Sequence, residues 1–437
     1  MTLQAPRGTT DLLPEQALAF NALEQTALEV FGRYGYALIG VPTFEQLDVF
    51  VRGIGQSTDV IGKEMFLVFS MHAAEKLAAG EPLKADERLA LRPEATAGVA
   101  RAVIEHNLVP PGGAPVKLWY SGSMYRHERP QKGRLREFHQ IGVECIGAAE
   151  PTADAEVIMM LMRFFETVGI PRESMRLLVN SMGDSQCRPA FREQVRNFIL
   201  EHAEGLCPEC VRRADTNPLR AFDCKNSDCQ QVLAAAPKLS DVLCDDCQKH
   251  YQSVKDYLTA AGLTFEEAPR LVRGLDYYTR TVFEVQVESG LGSQNAIGGG
   301  GRYDGLIEEF GGKPTPGLGF AVGLERIQLA LEAAGTVKPV DLSPDVFIVA
   351  VSAEQIPAAF ALAQELRDAG ISCELDHQAR SLKSQFKLAD RSGARLCAVI
   401  GPDELERGEV KLRKMDTSDE QAVPSGSLIE MIRKIQR

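Results

Sequence analysis

The sequence predicts an α+β molecule: an antiparallel sheet flanked by helices, broken by an insertion and followed by a smaller α/β domain. Three observations carry this. The stretch YRHERPQKGRLREFHQIGVECIG, from Tyr125 to Gly147, reads as two strands joined by a basic loop, and TRTVFEVQVE from Thr279 repeats the same alternation. Such alternation marks a sheet with one face in the core. After GTVKPVDLSP at 335–344, a linker by composition, strands and helices take turns, which is the grammar of a separate α/β domain. Finally, 437 residues are too many for one ordinary core. The expected division is a first domain over 1–334 with a cysteine-rich insertion at about 184–264, the linker, and a last domain over 345–437.

Composition narrows the class. With 44% apolar and 25% charged residues the chain reads as a globular protein. No apolar run approaches the ~18 residues that span a bilayer. The start MTLQAPRGTTDLLPEQ has no apolar core of a signal peptide, so a cytoplasmic location is expected. A net charge of −12 argues against a general polyanion binder but leaves room for RNA held by local basic patches.

Taken in order, Pro14 to about Arg33 reads as a helix with Leu18, Ala22, Leu23, Ala27, Val30 and Phe31 on its buried side. Asp11 is its expected cap, and Gly32 and Gly35 its end. YALIGV then runs into Pro42, which fits an edge strand where another subunit can pair. LALR, from Leu89, is strand-like and turns into a helix opening near Glu94, and Glu94 or Thr96 there is ordinarily a cap.

The hairpin carries the chemistry. Ile141, Val143 and Cys145 share the core face, leaving Arg136, Phe138, Gln140, Gly142 and Glu144 on the other. An amide and a carboxylate in register inside an apolar sheet are costly unless something satisfies them. Arg126 and Glu128 are expected to end the first strand, and Arg129, Lys132 and Arg134 line the loop. A guanidinium, an amide and a carboxylate beside a cationic lip suit a substrate with both a phosphate and a polar ligand. A plain solvated basic turn accounts for neither Gln140 nor Glu144.

Beyond it, 152–170 reads as a helix and 176–183 as a strand. Arg273, Asp276, Tyr277 and Tyr278 cluster where the next alternating strand begins, the edge of an aromatic pocket with one cation and one anion. Gly298–Gly301 lacks the βαβ setting of a dinucleotide site and instead permits close approach of a ligand. Arg326 falls in the first turn of a helix, where a cation is unfavourable and points to an anionic ligand. In the last domain Lys383, Lys387 and Arg391 follow at spacing four, opposite Leu382, Phe386 and Ala389.

Six of the ten cysteines form Cys207-x2-Cys210, Cys224-x4-Cys229 and Cys244-x2-Cys247. Two readings stand: the two Cys-x2-Cys pairs hold one structural zinc, or the cysteines are small buried apolar residues.

The segment YRHERPQKGR…FHQIGVE resembles motif 2 of class II aminoacyl-tRNA synthetases in its histidyl-tRNA synthetase form, and RGLDYY matches that family's histidine signature. The resemblance covers the chain apart from the cysteine insertion. It implies a class II synthetase-type sheet, a homodimer formed through the first helix and strand, and an anticodon-binding-type last domain. It implies ATP with Mg2+, L-histidine and tRNA(His) as substrates and partners, and no membrane. Arg126 and Arg273 would act in catalysis, Arg273 standing where other class II enzymes place a metal. Arg126, Glu128 and Arg326 would hold ATP. Glu94, Ala95, Thr96, Arg126, Gln140, Glu144, Arg273, Tyr277 and Tyr278 would bind histidine, Ala95 replacing the family's usual glycine. Arg129, Lys132, Arg134, Lys383, Lys387 and Arg391 would meet tRNA. The alternative is a non-catalytic, histidine-binding regulatory relative of histidine biosynthesis, which typically lacks the last domain and catalytic arginines.

Overall fold

The computed structural model describes the chain except residues 1, 2, 56, 57, 59, 111, 225, 274, 276, 289, 292–294, 379 and 437, and except the side chains of 223, 240 and 436. It divides into two compact units, Met1–Lys338 and Pro339–Arg437.

The first unit is built on an eight-stranded sheet. Its spatial order is Ala37–Leu38, Val116–Tyr125, Glu137–Ile146, Gly317–Gly323, Ala296–Arg302, Thr279–Val287, Met175–Ser181 and Glu266–Glu267. The six central strands are antiparallel, and a two-residue strand pairs in parallel at each edge. The alternation read from the sequence decides what each face does. Ile141, Val143 and Cys145 join Phe283, Val285, Phe320 and Val322 in one buried cluster, covered by the helices Pro14–Arg33, Pro151–Val168, Asp245–Ala260 and Leu324–Ala334. Each such side chain fully buried contributes about 1.5–3 kcal/mol. The opposite face receives the helix Thr96–Glu105 and carries the polar residues.

Several local expectations change. The first helix spans Pro14–Arg33, but Phe20 is buried in place of Leu18 and Ala22, which are exposed. Its cap is Leu13, whose N–H donates to Gln16 Oε1, and not Asp11. The edge strand shrinks to Ala37–Leu38 because Pro42 and Gly40 break the pairing. The first hairpin strand stops at Tyr125, so Arg126 and Glu128 lie in the loop. That loop closes through Gln131 and Arg134, which exchange backbone hydrogen bonds of 3.0 and 2.9 Å around Gly133 at φ 72°. The glycine strand Ala296–Arg302 is antiparallel to both neighbours, as a non-dinucleotide site requires. The segment placed in the insertion ends in the helix Asp245–Ala260, which packs Tyr251, Val254 and Leu258 into the main core.

In the second unit three parallel strands, Val346–Ala350, Cys373–Leu375 and Leu396–Ile400, continue into two antiparallel ones, Glu409–Lys414 and Glu420–Pro424. The helix Leu382–Ser392 exposes Lys383, Lys387 and Arg391. Leu382 is exposed too, and Gln385 takes the buried place because its amide bonds Ala350 N and O at 3.0 and 2.8 Å.

Candidate active site

One cavity of about 400 Å³ opens on the polar face of the large sheet. Its lining includes Glu94, Thr96, Arg126, Glu128, Arg134, Gln140, Glu144, Arg273, Tyr277, Tyr278 and Arg326, which span more than 230 positions of sequence. Asp276 lies outside the described residues. Ala95 is buried beside the cavity in the helix cap, while Arg129 and Lys132 are exposed on the loop outside it.

Glu94 arrives at the cavity because Arg92 pins the preceding chain, donating to Ser123 O at 2.8 Å and Val41 O at 2.7 Å. The Glu94 carboxylate caps the next helix, accepting from Thr96 N at 2.8 Å and Ala97 N at 2.9 Å. The Thr96 hydroxyl is thereby released from capping and donates to Glu144 Oε1 at 2.6 Å. Tyr303 donates to the other Glu144 oxygen. Glu144 is 1% exposed, and burial raises its carboxyl from the ordinary range to about 8, despite the Thr96 and Tyr303 hydroxyls. Burial also raises Glu94, against its two N–H bonds and the Arg126 charge. The Glu94 charge lifts Glu144 further, so a cationic ligand in the cavity would favour the ionised form of both.

The backbone leaves room for this arrangement at one glycine in particular. A Cβ on Gly319 would stand 2.2 Å from Glu144 Oε2, so no larger residue fits beside the carboxylate in its present place.

Five guanidinium groups line the cavity, those of Arg126, Arg134, Arg220, Arg273 and Arg326. Arg126 donates from Nε to Pro93 O at 2.9 Å and stacks over Phe138, 5.3 Å from the ring centre. Arg273 pairs with Glu284 at 2.8 Å, and Gln286 holds the other Glu284 oxygen at 2.8 Å. Arg326 stands in the first turn of the helix Leu324–Ala334, and burial lowers its pKa, with Arg134 nearby adding to the effect. Its neighbour Glu325 faces the opposite way and accepts from His139 N at 3.0 Å and His139 Nδ1 at 2.9 Å, locking the helix start to the hairpin. Arg134 pairs with Glu128 at 2.8 Å on the cavity lip. At the cavity, Gln140 Oε1 and Arg273 Nε are buried and have no hydrogen-bond partner among the described residues. An orphaned buried polar atom in a cavity calls for a ligand.

Tyr277 and Tyr278 wall the cavity with rings 4.7 Å apart, and Tyr303 meets Tyr277 edge-on at 5.6 Å. Tyr303, Tyr120, Glu284 and Arg220 are lining residues that the sequence reading did not assign. Tyr120 had a signal: it pairs across the hairpin with Gly142, where a Cβ would stand 2.3 Å from the tyrosine oxygen. Tyr303 follows directly on the glycine strand.

Residues 8–327 match the family model described as histidyl-tRNA synthetase, the cysteine-rich segment included, and residues 345–435 match an anticodon binding domain. The chain belongs to the histidyl-tRNA synthetase family. It is similar to the histidine–tRNA ligase of Moorella thermoacetica, 44% identical over 436 residues that cover 100% of this chain and 99% of that protein. It is likewise similar to the histidine–tRNA ligase of Streptomyces coelicolor, 44% identical over 428 residues, 98% of this chain and 96% of that one. The crystal structure of the apo histidyl-tRNA synthetase of S. aureus superposes with a TM-score of 0.80 at 34% identity, covering 99% of this chain and 100% of that chain. Family membership thus includes the last unit, which the regulatory reading leaves out. The cysteine-rich segment, expected to fall outside the resemblance, lies within the histidyl-tRNA synthetase match.

Proposed function

We propose that the chain activates L-histidine with ATP and transfers it to tRNA(His). The observation that carries this is the pair of buried carboxylates, Glu94 and Glu144, sharing a cavity with the orphaned Gln140 Oε1 and with the guanidinium groups of Arg126, Arg273 and Arg326. An amino acid with an ammonium and a polar ring answers the first set, and a nucleotide phosphate answers the second.

In this reading Glu94, Gln140 and Glu144 bind the ammonium and imidazole, and Tyr277 and Tyr278 enclose the ring. Ala95 and Thr96 shape the turn beneath it. ATP enters as its Mg2+ complex, held by Arg126 and Arg326, with Glu128 at the adenine end. A histidine carboxylate oxygen attacks the α-phosphorus; the new P–O bond forms as the bond to pyrophosphate breaks. Charge grows on the phosphoryl oxygens, where Arg126 and Arg273 act as fixed cations. The terminal ribose hydroxyl of tRNA then attacks the carbonyl carbon and AMP leaves. Arg129, Lys132 and Arg134 on the loop, and Lys383, Lys387 and Arg391 on the last unit, contact tRNA phosphates.

The working form is a homodimer in the cytoplasm, where ATP and tRNA are found. Leu18, Leu28 and Leu38 of the first helix and edge strand support the dimer, being 42%, 48% and 63% exposed. The bond changes use arginine side chains and the Mg2+ of ATP, and no step calls on a metal held by the cysteine-rich segment. The test is a charging assay with labelled histidine, ATP, Mg2+ and purified tRNA(His). Acid-precipitable label that needs all four components supports the reading; its absence from folded protein contradicts it.

A further inference from the structure

The chain between Asp184 and Cys247 has little core of its own. Between residues 202 and 243 its large buried apolar side chains are Leu206, Leu219, Leu233 and Leu239 among the described residues. Its helices Pro208–Thr216 and Ser227–Leu233 are short. A segment of that kind needs staples.

The side chains supply two sets. The ligand atoms of Cys207, Cys210, Cys224 and Cys229 lie within 4.8 Å of one another, and so do those of Asp184, Cys187, Cys244 and Cys247. The two Cys-x2-Cys pairs therefore do not share one site, as their spacing alone had implied; each pair belongs to a different set. Asp184 and Cys187 repeat the same spacing, with a carboxylate in the first position. Cys207 Sγ stands 3.9 Å from Cys224 Sγ, and Cys187 Sγ stands 3.8 Å from Cys247 Sγ. Tetrahedral zinc with Zn–S bonds of ~2.3 Å sets sulfurs ~3.8 Å apart. Asp184 Oδ1 lies 3.4 Å from Cys187 Sγ and 3.8 Å from Cys244 Sγ, close to the ~3.5 Å for a mixed pair of ligands with ~2.0 and ~2.3 Å bonds. All ten cysteines are unbonded to one another. Cys207 N also donates to Cys229 Sγ at 3.1 Å, an orientation that favours a thiolate.

The positions of the two sets matter for the cavity. Cys210 and Cys224 bracket the turn Pro218–Asp223, and Arg220 on that turn lines the cavity. Arg213, one turn after Cys210, holds the turn by donating to Arg220 O at 2.9 Å. Cys187 and Cys244 each precede a helix, Arg188–Glu201 and Asp245–Ala260, so the second set closes the segment at its root. Arg188 at that root donates to Tyr278 O at 2.8 Å.

We propose that this segment binds two zinc ions, one on Cys207, Cys210, Cys224 and Cys229 and one on Asp184, Cys187, Cys244 and Cys247, and that the first fixes Arg220 at the reaction cavity. Arg220 is then a further cation for the phosphate groups of ATP or of the tRNA end. Only this last part rests on the synthetase reading.

The experiment begins with metal counting by mass spectrometry on full-length protein purified under reducing conditions. Two zinc ions per chain are expected, falling to one in Cys224→Ser/Cys229→Ser and to one in Cys187→Ser/Cys244→Ser. X-ray absorption on the unaltered protein, which does not depend on any variant folding, should give a first shell between four sulfurs and three sulfurs with one oxygen. One zinc, no zinc with ten titratable thiols, disulfides, or iron in its place would each overturn the assignment. Arg220→Ala should lower kcat/KM in ATP–pyrophosphate exchange or in charging by about tenfold or more, as loss of a charged contact does. Cys224→Ser/Cys229→Ser should match it, and the combined variant should lose no more than either. Full additivity, or an unchanged Arg220→Ala enzyme, would overturn the link to the cavity. Failure of the unaltered protein in both assays would remove the synthetase reading and leave the zinc count standing.

Discussion

Glu144 joins a strand, a helix and a tyrosine from three parts of the chain, and its ionisation is where the chemistry becomes measurable. With its folded pKa raised to about 8, ligand-free protein near pH 7 holds Glu144 mostly protonated. The sign for folding follows from linkage: its contribution to stability is complete below the unfolded value and is lost as pH rises through about 8. Binding a cationic substrate reverses the preference and expels the proton. The KM for histidine should therefore rise as pH falls below about 8, by up to about tenfold per unit for one proton, and Glu144→Gln should weaken binding and flatten that profile. A Glu144→Gln profile parallel to the unaltered one would assign the titration elsewhere. Arg273 is the complementary case, with its orphaned Nε and its pairing to Glu284. Arg273→Ala should cut kcat for adenylation by roughly 10²–10³ with a smaller change in KM. Near-normal kcat with a raised KM would make it a binding residue.

Strands and helices fix where these groups stand. Gly319 sits on the strand beside Glu144, and an added Cβ would meet both Glu144 Oε2 and Val143 O at 2.2 Å. Gly319→Ala should cost about 1–3 kcal/mol in stability by overpacking. It should also raise the histidine KM, while Gly305→Ala, with nothing within 4 Å of the new Cβ, should change neither. Denaturant melts and exchange kinetics on both variants decide this. On the helix Leu382–Ser392, Lys383 and Lys387 are exposed and spaced by one turn. Lys383→Glu with Lys387→Glu should lower the salt slope of tRNA binding by about 2, one for each lost phosphate contact. An unchanged slope would leave that face merely solvated.

For the molecule as a whole, legibility followed the range of the interactions. Period-two alternation placed Gln140 and Glu144 on the polar face, because a strand decides facing locally. The first helix kept its span for the same reason, although its buried stripe rotated from Leu18 to Phe20 once the sheet chose which side it covers. What no local pattern carries is partnership across the chain. Tyr303 reaching Glu144 over 159 positions, or Asp184 meeting Cys244 over 60, depends on how the sheet is ordered. For the same reason Cys-x2-Cys spacing grouped the wrong pairs, since each pair finds its partners through a different helix packing. The edge strand was overestimated because a proline limits pairing more than β-propensity promotes it.

Residues from Val60 to Arg326 line one cavity, which the proposed function assigns to histidine and ATP together, and ATP–pyrophosphate exchange with each of the twenty standard amino acids tests that assignment directly. Histidine alone should support exchange, because buried polar groups left unpaired by another side chain discriminate by ~10⁴ or more. Equal exchange with a second amino acid, or none with histidine in folded protein supplied with Mg2+, would contradict the assignment of Glu94, Gln140 and Glu144 to the amino acid.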